Sequence, residues 1–587
     1  MKYIKNFLKL PELYCVLVVT LSIVGILHLR VIVENVVLIR GDTREEVSLP
    51  ILQKMPNGIS FQVELDVSGN LAYDLRVVPD DCTEAIVVNG QSLDLNGYSG
   101  KCDFTRGFVL PDSATAPHRV GPRTHYTFYL KNGGGNAGLN LFVLQTSKAL
   151  VTLYALAVLG FALLCLFIAR RLKFGPGIAL VIFLTVLFRA VFFINVSYNT
   201  YSNDVDGHVS YVQYILEKHA IPPADACWSC YHPAFYYISS TPAFILGEWA
   251  GISGPSGLQA FSLLVSVATL FLGLLFLRGF MKGSALGVAS LLWAFWPLMI
   301  LVAPRVGNDQ MFYLLHVICL WCGINYLNKG HGKYLIVSVI AAALAMWTKT
   351  TAAVTIGTVF LFAVCGYAQK ILTNQWRPSK SEIVACVLFV ALIVGILLQK
   401  FIGGDDLVGN ANGLNSRLRV ANEAYNYIFF DLKSYVTHPF TSTWNDEMGR
   451  QYFWNFTLKT SLFGEFALSH QQIGNTFATF MSVLLLGLIA YAVRGFWKMK
   501  LQVIHWILIL QAVAFFAAMM YLRIKIPFSC SNDFRFIAPV ILCISPFVAW
   551  GIHVEGGSAK WKVLGYAIVA GFVLSTVVLY ILAMQAR

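Results

Sequence analysis

The chain has 587 residues, of which 57% are hydrophobic and only 12% charged, and its mean hydropathy is +0.65. These values exclude a soluble globular protein, and the recurring apolar runs of about 18 to 25 residues are long enough to cross a membrane as helices. The formal charge of +13 is spread over short loops between these runs. That pattern sets membrane topology and gives no reason to expect a nucleic-acid partner.

The first 176 residues are predicted to form two membrane helices around an external domain. Residues 1–38 hold the first helix, whose apolar run covers about 13–35 and follows a basic stretch at 1–8, so we expect a retained span and not a removed signal peptide. Residues 39–148 show short alternating segments separated by Asn-Gly, Gly-Gly and Pro-Asp pairs, which predict an antiparallel β-sandwich or jelly roll. Residues 149–176 hold the second helix. The predicted strands are 59–67, 73–78, 85–88 and 125–130.

Residues 177–587 are predicted to form an all-α membrane core. If every basic loop lies in the cytoplasm, about thirteen spans result, with the amino terminus inside and the carboxyl terminus outside. The apolar stretch 234–249 must then lie along the outer surface, and loops 197–255 and 403–471 are external. We therefore expect a multi-pass protein of the plasma (inner) membrane with its sandwich and its site outside. The basic loops lie at 170–173, 278–282, 329–333, 369–380, 494–500 and 560–562.

Three polar side chains begin the helix predicted after the third span. Asp204, Asp206 and His208 lie at its start, where aspartates commonly act as helix caps. At a membrane surface, a carboxylate beside apolar walls can instead deprotonate an acceptor hydroxyl. The same three residues could hold a divalent cation such as magnesium, calcium or manganese, although none is required.

Under this topology, other polar residues lie at the same external face of the membrane. They lie within 231–237, 304–309 and 531–536, and Lys349 lies between two short apolar helices. Arg305 or Lys349 alone is consistent with a cation snorkelling at a helix end. Several such clusters at one face instead indicate a single site, whose cations would match a lipid phosphate.

The order of these motifs resembles that of the GT-C superfamily of integral membrane glycosyltransferases, particularly the branch with protein O-mannosyltransferases and the lipid A aminoarabinose transferase. The resemblance covers about residues 177–545. The segment 203–206, Asn-Asp-Val-Asp, is similar to the acidic motif of the first external loop, and 232–237, His-Pro-Ala-Phe-Tyr-Tyr, is similar to the motif after it. Ala234 departs from the proline expected there. Asn308 and Asp309 match an Asn-Asp pair, and 533–539 resembles a terminal Arg-aromatic-Pro stretch.

The resemblance implies roles for several of these residues. Acceptor activation falls to Asp204 or Asp206, with the choice open, and Asp309 has a supporting acidic role. Contacts to the donor phosphate fall to His232, Lys349 and Arg535. Apart from these implied roles, His208, Arg305 and Asn308 are predicted to bind the substrates because they belong to the polar clusters at the same face.

Two cysteine pairs are predicted as disulfides. Cys82 and Cys102 could close a staple in the sandwich if it is external. Cys227 and Cys230 have spacing that also fits a metal chelate or a redox pair, but no second ligand pair lies nearby, so we favour a local disulfide over a metal site or free thiols.

The sequence thus predicts a glycosyltransferase, hexosyl- or pentosyl-, that uses a polyprenyl-phosphate sugar and an extracytoplasmic glycan, lipid or protein acceptor, with no required cofactor. The alternatives are a transporter or flippase of a lipid-linked sugar, a surface polysaccharide polymerase or ligase, and a receptor on a membrane anchor. Segments 78–90 and 130–139 resemble galactose-binding jelly rolls, so the sandwich could hold a glycan, dock a partner or be purely structural.

Overall fold

The computed structural model describes residues 10–585 except 48, 50, 70, 104–106, 135, 145–146, 203, 375–376, 404–415 and 469–470. The predicted basic stretch 1–8, Asn203 and part of the predicted loop 403–471 therefore lie outside the described residues. The chain divides into two compact units, residues 1–164 and 165–586.

The first unit begins with helix α1, Leu10–Leu29, followed directly by strand β1, Ile32–Arg40. The predicted helix over 13–35, and the domain boundary at 38, were therefore wrong: residues 32–38 belong to the sheet. The apolar run continues without a break because Val and Ile suit a half-buried strand as well as a membrane helix. Asn35, at φ 50°, lies at an irregularity in the β1 register and is the polar residue that could have indicated the change.

Two antiparallel sheets follow and enclose a common apolar core. The larger sheet has the order β2-β1-β4-β9-β6-β7, and the smaller has the order β3-β10-β5-β8. Strands β4 and β9 pair from Ser60 opposite Lys131 to Ser68 opposite Arg123. Alternate residues of β4 are buried, as expected for strands with one face on a core. After β1, the strand bounds are β2 Thr43–Glu46, β3 Ile51–Lys54, β4 Ser60–Ser68, β5 Asp74–Pro79, β6 Cys82–Val88, β7 Gln91–Ser92, β8 Phe108–Leu110, β9 Arg123–Lys131 and β10 Asn136–Leu144.

Between β8 and β9 lie a short helix, α2 Asp112–Thr115, and the 3-10 turn Ala116–His118. The remaining helices form the membrane core or connect its spans. They are α3 Lys148–Arg171, α4 Pro176–Asn195, α5 Val205–Lys218, α6 Phe235–Trp249, α7 Gly254–Arg278, α8 Gly283–Phe295, α9 Pro297–Leu301, α10 Asp309–Lys329, α11 Lys333–Met346, α12 Ala353–Leu372, α13 Lys380–Gly403, α14 Ala424–Ile428, α15 Leu432–Thr437, α16 Phe453–Phe463, α17 Gln472–Lys498, α18 Val503–Lys525, α19 Ile541–Ile552 and α20 Ala559–Gln585.

Within the described residues, 11 helical segments are long and apolar enough to cross a membrane. Two shorter apolar helices, α8 and α11, would raise this number to the predicted thirteen if both also cross. Helix α8 ends at Phe295 because Pro297 disfavours a helical conformation in Trp296, the residue before it. Helix α9 begins at Pro297. The 11 segments are α1, α3, α4, α7, α10, α12 with the turn before it, α13, α17, α18, Ser529–Ile552 and α20.

The stretch predicted to lie along the membrane surface forms α6. Its 15 residues extend about 22 Å. The surface position and the inside or outside placement of each loop stay predictions. The architecture is that of an all-α polytopic membrane protein with an inserted β-sandwich.

The structure joins Cys82 and Cys102 by a disulfide between the start of β6 and the loop before β8. Replacing both with serine should destabilise the sandwich by about 3 kcal/mol, because the bond closes a loop with a sequence separation of 20. We expect trypsin to cleave the double variant faster within residues 80–110. Cys386→Ser, which changes an exposed free cysteine on α13, is the control. Equal protease resistance of all three proteins would contradict the prediction.

Candidate active site

Three membrane segments begin at the same polar cluster. Asp309 is the first residue of α10, Lys349 directly precedes the turn Thr350–Ala352 that leads into α12, and Arg535 lies near the start of the segment Ser529–Ile552. Because the short helix α11 returns the chain between α10 and α12, these two segments start at the same end of the core. Polar groups that are far apart in sequence therefore meet there.

A buried ion pair lies at the centre of the cluster. The Lys349 ammonium donates to the Asp309 carboxylate, and the two residues are 6% and 9% exposed. Beside them, the Asn308 amide donates to the Thr348 carbonyl at 3.2 Å. The Lys349 ammonium also lies 4.6 Å from the centre of the Phe536 ring. Such a pair persists because removing either charge would leave the other uncompensated in a medium of low dielectric constant.

Two arginines complete the cationic side of the cluster. Arg535 pairs with the Asp533 carboxylate at 3.1 Å, and its backbone N–H donates to the same carboxylate at 2.9 Å. The Arg305 guanidinium lies 5.8 Å from the centre of the Phe466 ring and has no carboxylate within ion-pairing distance among the residues that the structure describes. Arg305 is therefore the cation best able to contact an anionic ligand.

Two histidines pack against tyrosines next to these charges. The rings of His208 and His232 stack at 5.9 Å between centroids, and His208 Nδ1 lies 2.8 Å from the Tyr237 hydroxyl. Burial lowers the pKa of His208 to about 3, with Arg305 and Lys349 lowering it further against the opposing effect of Asp309. Burial also lowers the pKa of His232 to about 3. Both imidazoles are thus neutral at physiological pH and can serve as hydrogen-bonding groups.

The two candidate bases have different surroundings. Asp204 precedes α5 with φ of 58°, a left-handed conformation that aspartate adopts more readily than most residues other than glycine. Its side chain makes no helix-capping bond but accepts a hydrogen bond of 2.8 Å from the Trp228 indole. Asp206 is exposed in the first turn of α5, where the helix dipole stabilises a negative charge, and it interacts electrostatically with Tyr198.

The loop that carries Trp228 is closed by a disulfide between Cys227 and Cys230. It packs tightly on the first turn of α5, since a Cβ added to Gly207 would lie 2.5 Å from the Ser229 hydroxyl oxygen. Gly207 thus allows the approach that puts the indole on Asp204.

The structure brings the predicted residues together except Asp206, and it adds groups that sequence reasoning missed. Asp204 lies within electrostatic range of Tyr231, His232, Glu465 and Arg535. Burial, together with Asp533, raises the pKa of Glu465. In the sequence, Glu465 was one acid among several in a long loop and Trp228 was one of 13 tryptophans, so neither had a distinguishing signal.

Two residues of the possible cation site have other polar partners. Asp204 is bonded to the Trp228 indole and His208 faces Tyr237, and the described residues contain no group of three His, Cys, Asp or Glu that could hold a metal ion.

Comparison with known proteins gives one family match. Residues 248–396, about a quarter of the chain, match the family model described as Dolichyl-phosphate-mannose-protein mannosyltransferase. This match lies within the predicted membrane core and covers less than half of the chain. The match contains Arg305, Asn308, Asp309 and Lys349 of the cluster, whereas Asp204 and Arg535 lie outside it. No curated protein matches the chain by sequence.

Solved structures give weaker similarities to this chain. The oligosaccharyltransferase of Archaeoglobus fulgidus in the apo form has 15% identity and a TM-score of 0.41, with 70% of this chain and 56% of that chain covered. AglB from the same organism, in complex with an inhibitory peptide and a dolichol-phosphate, has 15% identity, a TM-score of 0.39 and the same coverage. The arabinosyltransferase EmbB of Mycobacterium smegmatis has 9% identity and a TM-score of 0.39, with 98% and 63% covered. The chain thus spans 56 to 63% of the length of these three solved structures.

The buried ion pair can be tested by a double-mutant cycle. Lys349→Met should destabilise the protein by about 3 to 5 kcal/mol, because it leaves the Asp309 carboxylate buried without its partner. Adding Asp309→Leu should recover much of this loss. Thermal unfolding of the purified variants in detergent measures both effects. Additive losses in the double variant would contradict a direct pairing.

The neutral histidines predict a loss of stability in acid. An unfolded histidine has a pKa of about 6.5, whereas folded His208 and His232 bind a proton only near pH 3. The unfolded state therefore takes up protons first, and stability falls as the pH decreases below about 6.5. His232→Gln should flatten this dependence between pH 7.5 and 5 in melting curves. A variant with the same slope as the wild type would show that His232 is not buried in its neutral form.

Proposed function

We propose that this chain is a membrane glycosyltransferase that moves a sugar from a polyprenyl-phosphate carrier to an acceptor hydroxyl on the extracytoplasmic side. The observation that supports this most is the position of the Asp204 carboxylate beside a buried cluster of cations. An acceptor needs a base and a lipid phosphate needs cations, and the cluster has both within electrostatic range of one another.

In the proposed reaction, the acceptor oxygen attacks the anomeric carbon while the bond from that carbon to the phosphate oxygen breaks. Asp204 takes the hydroxyl proton, and the electron pair of the broken bond leaves with the lipid phosphate. Arg305, Lys349 and Arg535 stabilise the charge that develops on this phosphate. A direct displacement of this kind inverts the anomeric configuration.

The local structure favours Asp204 over Asp206 as the base. Both carboxylates are exposed, but Asp204 is held by the Trp228 indole and interacts electrostatically with Arg535, whereas the described contacts of Asp206 include neither residue. A base has to be fixed in position relative to the hydroxyl that it deprotonates. The charge of Asp206, in the first turn of α5, is stabilised by the helix dipole.

The placement of charge also supports an enzyme over a transporter. The cluster lies at the beginnings of spans, whereas translocation pathways have ionisable groups at the middle of the membrane. Two buried groups within described spans have structural partners. Arg189 donates to the Ser266 hydroxyl at 2.7 Å, and His316 is bonded to Thr355 and Gln511.

The test is a transfer assay with protein in liposomes and synthetic polyprenyl-phosphate sugars as donors. Asp204→Asn should reduce transfer at least 10³-fold, because the amide cannot take the proton, while Asp206→Asn, the matched control, should retain activity within a few-fold. Loss of activity in Asp206→Asn with full activity in Asp204→Asn would reverse the assignment. Movement of intact donor across the membrane without sugar transfer would favour the flippase.

A further inference from the structure

Two large aromatic side chains are exposed beside the proposed base. Trp228 is 59% exposed and Tyr231 is 57% exposed, although each lies in a loop fixed at several points. Trp228 is bound through its indole N–H to Asp204, and the Tyr231 ring packs on the ring of His232 at 4.1 Å between centroids. Their free faces are therefore held in place without being covered by the described protein.

A membrane anchor does not explain this arrangement. Interfacial tryptophans put their apolar body towards lipid and their N–H towards headgroups and water. Here the N–H of Trp228 is used by Asp204 at 2.8 Å, and the loop around it is closed by the disulfide Cys227–Cys230. The indole is fixed in orientation relative to a carboxylate, which is a requirement of a binding site and not of a lipid anchor.

From this geometry, and resting on the proposed function, we infer that Trp228 and Tyr231 form the platform of the acceptor site and that the acceptor is a saccharide. The hydroxyl that gives its proton to Asp204 must come within hydrogen-bonding distance of the carboxylate that also binds the indole. The carbon skeleton next to that hydroxyl then lies against the indole. A sugar ring presents a flat face of C–H groups that fits a bicyclic ring, whereas a serine or threonine side chain presents one or two carbons.

The neighbouring groups suit a polyhydroxylated ligand. The second oxygen of Asp204 and the Tyr231 hydroxyl can bind hydroxyls adjacent to the one that reacts, and a site built for such groups rejects acceptors that lack them. Gly207 contributes indirectly, because its missing side chain lets the Ser229 backbone approach α5 and so fixes the loop. Trp228 is a positioning residue for Asp204 and a contact residue for the acceptor.

Fluorine NMR of the full chain labelled with 5-fluorotryptophan tests the platform directly. Trp228→Phe assigns the Trp228 resonance among the 13 tryptophans. The probes are methyl glycosides of common hexoses and pentoses and, separately, a peptide rich in serine and threonine. We expect at least one glycoside to shift the Trp228 resonance saturably, while the resonance of Trp497, which is 74% exposed on α17, stays unchanged. No shift with any glycoside, or a shift with the peptide alone, would overturn the inference.

Kinetics separate the two roles of Trp228. Trp228→Ala should raise the KM for a saccharide acceptor roughly tenfold, because it removes the ring. Trp228→Phe keeps a ring but not the bond to Asp204, so it should lower kcat with a smaller change in KM. The control Trp497→Ala should change neither. Equal effects of both Trp228 variants on kcat, with KM unchanged, would reduce Trp228 to a positioning role and refute the platform.

The inference and the proposed function fail in different ways. Transfer to the peptide without any glycoside shift refutes the saccharide acceptor and leaves the transferase intact. A saturable glycoside shift with no transfer from any polyprenyl-phosphate donor refutes the proposed donor and upholds the saccharide site.

Discussion

The ion pair between Asp309 and Lys349 is the interaction on which the site depends. Both residues are buried at the end of the core, where removing either charge would leave the other uncompensated. The pair joins the start of α10 to the start of the segment that includes α12. It thereby fixes the end of the core where Arg305 and Arg535 also lie, and it offsets the repulsion that these cations would otherwise have with Lys349.

Around this pair the site has two halves with different chemistry. In the buried half, carboxylates compensate the charges of Lys349 and Arg535. Arg305 has no such partner among the described residues, so it is the cation best able to bind a phosphate. The exposed half holds Asp204 and the aromatic faces of Trp228 and Tyr231, on a loop stabilised by a disulfide and by its contact with Gly207. The neutral His232 interacts electrostatically with Asp204 of the exposed half and with Lys349 and Asp309 of the buried half, and it adds no charge of its own.

The sequence predicted the parts that depend on composition and order. Apolar runs indicated the membrane core, alternation indicated the sandwich, and polar groups at the starts of spans indicated that Asp309, Lys349 and Arg535 would converge, because topology alone puts those starts on one face. The β1 boundary failed because β-branched apolar residues have no distinct pattern in a strand and in a membrane helix. The choice between Asp204 and Asp206 stayed open because it depends on the Trp228 indole, 24 residues away, which no spacing rule connects to a carboxylate. Glu465 was missed for the same reason, since its burial arises from tertiary packing.

The most direct measurement is native mass spectrometry of the purified protein in mild detergent with an added polyprenyl phosphate, comparing the wild type with Arg305→Gln. If the cluster binds the lipid phosphate, the wild type shows a saturable adduct of the mass of the added lipid, and Arg305→Gln shows at least a tenfold weaker one at equal folding and expression. Equal adducts in both proteins, or adducts of bulk phospholipid alone, would contradict the assignment of the cationic cluster to the donor.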